Sequence, residues 1–463
     1  MEEEESGMCR RSHVLVFPLP VQGHINPMLQ FSKRLASKGL KVTLSTPIYV
    51  AKSSPPLAGS VSVHTFADGR EEEGAEEESY DSYIERFKVI GLKTIASLID
   101  KYSGTHTPIN CLVFDSVLPW AADEVKRLGI LAASFYTQSL AVNAVYFHVQ
   151  CGKLSLPVSS PAVSLPGLPV LESHDLPSFV VHTDSYPGLL KLLLSQFSNL
   201  DATDLLLFNT FDKLEQEVLD WMGKQWPAKT LTIGPTVPSM YLDKRVEGDE
   251  DYGLHLYKPD IGTCVSWLDK KEAGSVVYAS FGSLASLGDE QMNELAMGLK
   301  TSGKPFLWVV RATEESKLPS KFAEEVSASE EGLVVTWCPQ LDVLSHKAVG
   351  CFLTHCGWNS TLEALSFGVP MIAMPQWTDQ TTNAKCVEDV WKVGVRVHVD
   401  EKGIIRRDEI KHCIYEVLEG ERWKEMKSNV AKLREFAEEA VDEGGSSDKN
   451  VEKFIDRLVS KSQ

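Results

Sequence analysis

Residues 337–380 read WCPQLDVLSHKAVGCFLTHCGWNSTLEALSFGVPMIAMPQWTDQ, and this stretch decides how the second half of the chain folds. The apolar run GCFLT, then His355-Cys356-Gly357-Trp358-Asn359-Ser360, then TLEALSF predicts a strand, a turn and a helix start. The first backbone N–H groups of a helix lack intrahelical partners and sit at the positive end of the macrodipole, so such a turn suits an anion such as a diphosphate. Gly357 lets a ligand approach the backbone closely, and Asn359, Ser360 and His355 add side-chain donors. Ser360 and Glu363 also match the S-x-x-E capping box, a reading that needs no ligand. Upstream, Trp337 ends an apparent strand before Cys338-Pro339-Gln340. Downstream, PMIAMPQ leads into Trp377-Thr378-Asp379-Gln380. An indole at a strand end is more often core than site, and an Asp-Gln pair on a loop is uninformative alone; it is the fixed order of these features that carries meaning.

The strand-helix alternation extends outward from this block. From His13 the first half reads HVLVF, a helical pattern from Asn26 to Lys38, KVTLST, NCLVFD, LPWAADEVKRLG and ILAASFY. Asn26-Pro27 predicts an N-cap and first helical position, with Gly39 as the stop. The second half reads SVVYASFGS, a helix from about Asp289, PFLWVVR, GLVVTWC, GCFLTHCG and PMIAMPQ. The expected fold class is α/β, with two Rossmann-like doubly wound parallel-sheet domains facing across a cleft and ligands at the carboxyl ends of the strands. The expected boundaries are a disordered acidic tail (1–12), a first domain (13–238), a polar linker around SMYLDKRVEGDEDYGL (239–258), a second domain (259–446) and a terminal helix (447–463).

A chain of 463 residues suits two cores of roughly 200 residues each. Nine scattered cysteines without a C-x-x-C pair fit a reducing compartment rather than a disulfide framework or a zinc site. No signal peptide or membrane anchor is legible, so a cytoplasmic protein is expected. A formal charge of −18 argues against nucleic acid and anionic membranes as partners. Much of that excess lies in Glu2 to Glu5, Glu71 to Glu78 and Glu247 to Asp251, read as solvated tail and loops.

Taken whole, Trp337 to Gln380 resembles the signature box of plant UDP-dependent glycosyltransferases of secondary metabolism, supported at GHINP (Gly23 to Pro27), FDS (Phe114 to Ser116) and FGS (Phe281 to Ser283). The resemblance implies the two-domain glycosyltransferase B architecture, with the terminal helix crossing back onto the first domain. It implies UDP-glucose as co-substrate, no metal or other cofactor, and a small lipophilic acceptor such as a phenolic, terpenoid or steroid. The donor residues it implies are Trp337 on the uracil ring, Cys338 at the base edge, and Gln340 and Glu363 on the ribose. Ser283, His355, Gly357, Asn359 and Ser360 fall near the phosphates, and Trp358, Trp377, Asp379 and Gln380 around the sugar. A closing glutamine rather than histidine goes with UDP-glucose rather than UDP-galactose.

By the same resemblance His24, on the loop after the first strand, takes the proton from the acceptor hydroxyl, and Asp115, ending CLVFD, holds its ring. A general base of this kind contributes about 10²–10⁴-fold. Gly23, Tyr136 and Tyr146 are expected to line the acceptor, within the apolar segments Tyr136 to Tyr146, Leu176 to Val181 and Leu189 to Phe197. The expected reaction is one in-line displacement giving a β-glucoside, by a monomer. Two alternatives stay open: glucose-ester formation on a carboxylate, which is already ionised above about pH 4, and a non-catalytic UDP-sugar-binding protein. A nicotinamide enzyme is disfavoured because PLPVQGH replaces G-x-G-x-x-G after the first strand. Asp249-Glu250-Asp251, the one D-x-D match, lies in the acidic linker with no flanking strand and is not read as a metal site.

Overall fold

The computed structural model describes residues 12–51, 61–70, 79–254 and 261–461. It divides into two compact units. The first comprises Met1–Leu168, Phe179–Leu256 and Glu438–Gln463; the second comprises Pro169–Ser178 and Tyr257–Ala437. Ten residues that the sequence reading gives to the first domain, Pro169–Ser178, therefore fold with the second.

The first unit is built on a seven-stranded parallel sheet: β1 (His13–Phe17), β2 (Lys41–Pro47), β3 (Val61–Phe66), β4 (Ile109–Asp115), β5 (Leu131–Tyr136), β6 (Leu205–Phe208) and β7 (Thr230–Thr232). Their order is β3-β2-β1-β4-β5-β6-β7. β1 is a continuous apolar run because both of its faces are covered. Val14 and Val16 join one core with Phe31, Val113 and Leu207, while Leu15 and Phe17 join another with Phe66, Phe87 and Phe114, as the two-residue period of a strand requires. The sequence reading finds four of these strands. It misses VSVHTF, LLLF and TLT, which are edge-side and too short or too polar to show a period.

Helix α1 (Gln22–Ser37) begins five residues earlier than Asn26-Pro27 predicts. Its first turn is closed by His24 N and Ile25 N donating to Val21 O, at 2.9 and 3.0 Å, and by the Gln22 amide bonding Asn26 Oδ1. Asn26 thus serves an i,i+4 pair inside the helix rather than a cap, and Pro27 is the sixth helical residue, where, lacking an N–H, it gives up one i→i−4 backbone bond. Gly39, with φ of 90°, stops the chain as expected.

The acidic linker is less solvated than its composition predicts. Asp249 is buried, accepting from Lys33 Nζ at 2.8 Å and Ser239 N at 2.7 Å, and Asp243 pairs with Arg34. Lys33 and Arg34 lie on α1, and a buried ammonium needs a partner carboxylate. The runs Glu2 to Glu5 and Glu71 to Glu78 lie outside the described residues. The last helix, Ser446–Lys461, seats Val451, Phe454, Ile455 and Leu458 in the first unit's core, with Phe454 5.5 Å from Phe31.

The second unit carries a six-stranded parallel sheet: β8 (Val276–Ser280), β9 (Phe306–Val309), β10 (Gly332–Val335), β11 (Val349–Thr354), β12 (Met371–Ala373) and β13 (Gly394–Arg396), ordered β10-β9-β8-β11-β12-β13. Five of the six are read from the sequence; GVR is not. In each sheet the order reverses beside the first strand, between β1 and β4 and between β8 and β11. At such a switch point the loops leaving adjacent strands diverge and leave room for a ligand.

Candidate active site

At the first switch point, α1 begins after β1 and presents His24 from its first turn, not from a loop as the sequence reading has it. Asp115 is the last residue of β4 and is fully buried. The two side chains meet: His24 Nδ1 lies 2.6 Å from Asp115 Oδ2. Asp115 also accepts from Leu19 N at 3.2 Å and Val117 N at 3.3 Å, so three donors fix its orientation. A carboxylate only accepts, so the Nδ1 position carries the proton and Nε2, facing away from Asp115, carries the lone pair. Thr137 Oγ1, 3.3 Å from Nδ1, is a neighbour the sequence reading does not name.

The expected acceptor residues fare differently. Gly23 is the second residue of α1, beside His24. Tyr136 and Tyr146 are core residues, 1% and 0% exposed. Tyr136 stacks on Phe208 at 4.4 Å and donates to Gln196 O, so neither ring is presented to an acceptor. Both belong to segments whose apolar side chains are drawn into the core by the hydrophobic effect that made them look like a lining.

At the second switch point, β11 ends at Thr354, His355 follows it, and helix α2 (Trp358–Phe367) begins three residues later. Its N-cap is Gly357; among the described residues no side chain caps it, and its first turn holds no acid. Ser360 is therefore the third helical residue, not a cap, and the purely structural capping-box reading fails. Instead Gln340, at the start of helix α3 (Gln340–Ser345, earlier in the chain), reaches both: its Nε2 donates to Ser360 Oγ at 2.9 Å and Glu363 Oε2 at 2.6 Å. Tyr278, on β8, donates to Gln340 Oε1 at 2.9 Å and lies 3.1 Å from Cys338 Sγ. Trp337, half-buried, follows β10.

His355 keeps part of its surface open, but its imidazole is packed by protein, and burial pushes its pKa down to about 4 despite a hydrogen bond with the Ser280 backbone. At neutral pH it offers a neutral ring, not a positive charge. A Cβ on Gly282 or Gly357 would stand 2.7 or 2.5 Å from its Nε2, so both glycines are there because nothing larger fits against the ring. Ser283, next to Gly282, has its carbonyl held by Arg311 at 2.7 Å. Trp358 is buried against Trp391 and packs rather than faces a ligand.

Trp377, half-buried, and Asp379 lead into helix α4 (Gln380–Lys385). Gln380 Oε1 accepts from Gln376 N at 2.9 Å and Trp377 N at 3.2 Å, which turns its amide nitrogen outward from that bend. Asn383 donates to Asp379 Oδ2 at 2.8 Å and to Cys356 O at 3.0 Å, tying the two loops of the site together. Tyr278, Arg311 and Asn383 were missed by sequence reasoning. Only Asn383 carried a signal, lying one helical turn after Asp379.

Among the described residues no group of three or more His, Cys, Asp or Glu is placed to hold a metal ion, and no helix is long and apolar enough to cross a membrane. A family model described as UDP-glucoronosyl and UDP-glucosyl transferase matches residues 257–439, and one described as Glycosyltransferase, N-terminal domain matches residues 11–54. Mogroside I-E synthase of Siraitia grosvenorii is 50% identical, covering 96% of this chain and 98% of its own. Flavonol 7-O-beta-glucosyltransferase of Arabidopsis thaliana is 47% identical, covering 97% and 99%. The solved structure of Os79 from O. sativa in complex with UDP superposes with a TM-score of 0.89 at 39% identity, covering 96% of this chain and 100% of that one. Sharing about half its residues with such relatives over nearly its whole length, on two all-parallel α/β units of the glycosyltransferase B kind, the chain belongs to the plant UDP-glycosyltransferases.

Proposed function

We propose that the protein transfers glucose from UDP-glucose to a hydroxyl of its acceptor with inversion, His24 acting as the base and Asp115 holding its ring. The enzyme is a glucosyltransferase of small lipophilic acceptors, as its relatives' full-length likeness indicates. The His24 to Asp115 contact carries the finer reading. A proton fixed on Nδ1 leaves Nε2 to take the acceptor's proton as its oxygen attacks the anomeric carbon. The bond from that carbon to the UDP oxygen breaks with its electron pair, and the imidazolium formed is stabilised by the buried Asp115 carboxylate.

Negative charge growing on the departing diphosphate is met by the N-terminus of α2 and by hydrogen bonding from neutral His355. Trp337 stacks on uracil, Cys338 lies at the base edge, and Glu363 and Gln340 take the ribose. Ser283, Gly357, Asn359 and Ser360 stand by the phosphates. Trp377, Asp379 and Gln380 take the glucose. A flavonol-like or trichothecene-like acceptor is supported by the name of the flavonol 7-O-beta-glucosyltransferase and by an Os79 structure with trichothecene. We assign no metal to the reaction, and place the enzyme in the cytosol as a monomer.

The test is hexosyl transfer from UDP-glucose to a mixed phenolic, terpenoid, steroid and carboxylate panel, read by mass spectrometry, with His24→Ala alongside. Glucoside formation lost by about 10²–10⁴-fold in the variant, with UDP binding retained, is the expected result. Activity surviving in the variant on a carboxylate acceptor would turn the assignment to ester formation.

A further inference from the structure

Residues 175–178, of which Leu176 to Ser178 were expected to line the acceptor, make a dense set of contacts to the loop that carries Asp379 and Gln380. Thr378, immediately before Asp379 and Gln380, has φ of 55°. A β-branched residue in that left-handed region is a rare and costly conformer, held only where its surroundings over-determine it. Ser178 supplies the restraint from both sides: Thr378 N donates to Ser178 Oγ at 2.7 Å, and Ser178 N donates to Thr378 O at 2.9 Å. One turn on, Thr381 Oγ1 donates to Leu176 O and Thr382 Oγ1 to Asp175 O, each at 2.7 Å.

The segment is itself anchored. Asp175 is 1% exposed, with Arg396 Nη1 at 2.7 Å from one carboxylate oxygen and Lys385 Nζ at 3.2 Å from the other, and Arg396 Nη2 donates to His174 O. The bonds it makes to the loop land on Thr378, Thr381 and Thr382. Because Gln380 Oε1 is fixed by the N–H groups of Gln376 and Trp377, the conformation of Thr378 decides where its amide points.

We propose that the segment from Asp175 to Ser178 positions the sugar-reading end of the donor site, with Ser178 holding Thr378 in its left-handed conformation so that Asp379 and Gln380 meet glucose in register. The inference rests on the reading that Asp379 and Gln380 contact the sugar. Ser178 is a positioning residue, acting through Thr378, and its influence is confined to the hexose half of the donor.

The experiment uses the full chain and the variants Ser178→Ala, Ser178→Thr and Ser178→Ala/Thr378→Gly. It measures KM for UDP-glucose, the kcat/KM ratio of UDP-glucose to UDP-galactose, and Kd for UDP. In Ser178→Ala, one hydrogen bond's worth of restraint is lost, so KM for UDP-glucose rises about five-fold and the donor ratio falls by a similar factor, while Kd for UDP stays within about two-fold. Ser178→Thr keeps the hydroxyl and the ratio. Glycine at 378 occupies the left-handed region without cost, so the double variant regains the ratio. An unchanged donor ratio in Ser178→Ala, or an equal loss of UDP affinity, overturns the inference. Gln380→His separates the two levels of failure: if it shifts the ratio and Ser178→Ala does not, only the positioning role is lost; if neither shifts it, the sugar-contact reading falls and takes the inference with it.

Discussion

His24 Nδ1 stands 2.6 Å from a carboxylate that is itself gripped by two backbone N–H groups, so the proposed base is oriented by a group that cannot easily turn away. Asp115→Asn keeps the shape but offers His24 an amide able to donate as well as accept, which frees the ring to adopt the other tautomer. It is expected to lower kcat on a hydroxyl acceptor by about 10²–10⁴-fold with little change in UDP affinity, checked by steady-state kinetics beside calorimetry. The glycines around His355 make a second residue-scale case. Gly282 has φ of 70° and a Cβ there would meet the imidazole at 2.7 Å, so Gly282→Ala should push the ring aside and weaken UDP-glucose binding by roughly ten-fold. A Kd unaltered in that variant would remove His355 from the donor site.

Among elements, what the sequence made legible is what lies close together in it. The strand, turn and helix of residues 349–367 read correctly because an apolar run, a glycine and a periodic segment follow one another within about five turns of chain. The start of α1 misread because Asn-Pro imitates a cap, while the bond that closes the turn, from Gln22 to Asn26, is local but has no distinctive pattern. Ser360 and Glu363 imitate a capping box one turn too late in the helix. The site residues were named because the resemblance carries them; the side chains that hold those residues were not, because Tyr278 meets Gln340 across 62 positions and Ser178 meets Thr378 across 200. The Tyr278 support has a measurable worth. Tyr278→Phe removes the donor to Gln340 Oε1 and leaves β8 packed, so Kd for UDP should rise about three- to ten-fold, one hydrogen bond's worth, with kcat nearly unchanged.

For the whole molecule, the acidic balance hides buried histidines kept neutral. Burial pushes His13, 0% exposed and bonded to Thr43 Oγ1 at 2.8 Å, down to about 4, as it does His355. Between pH 6.5 and 4 the unfolded chain takes up these protons and the native protein does not, so stability falls as pH drops through that window and levels off below it. For His13 the loss approaches about 3 kcal/mol at most. His13→Gln should flatten the fall in melting temperature between pH 7 and 4.5 relative to the parent; a parallel curve would show that His13 does not contribute to the acid limit. The discontinuity of the two units bears on engineering. The chain passes from one to the other after Leu168, Ser178, Leu256 and Ala437. Exchanging donor halves between relatives by a single cut near residue 256 would graft a foreign Thr378 turn onto a resident Ser178. A hybrid that instead travels with its own Pro169–Ser178 cassette keeps the matched pair, so two pieces of gene, not one, make up the unit to be exchanged.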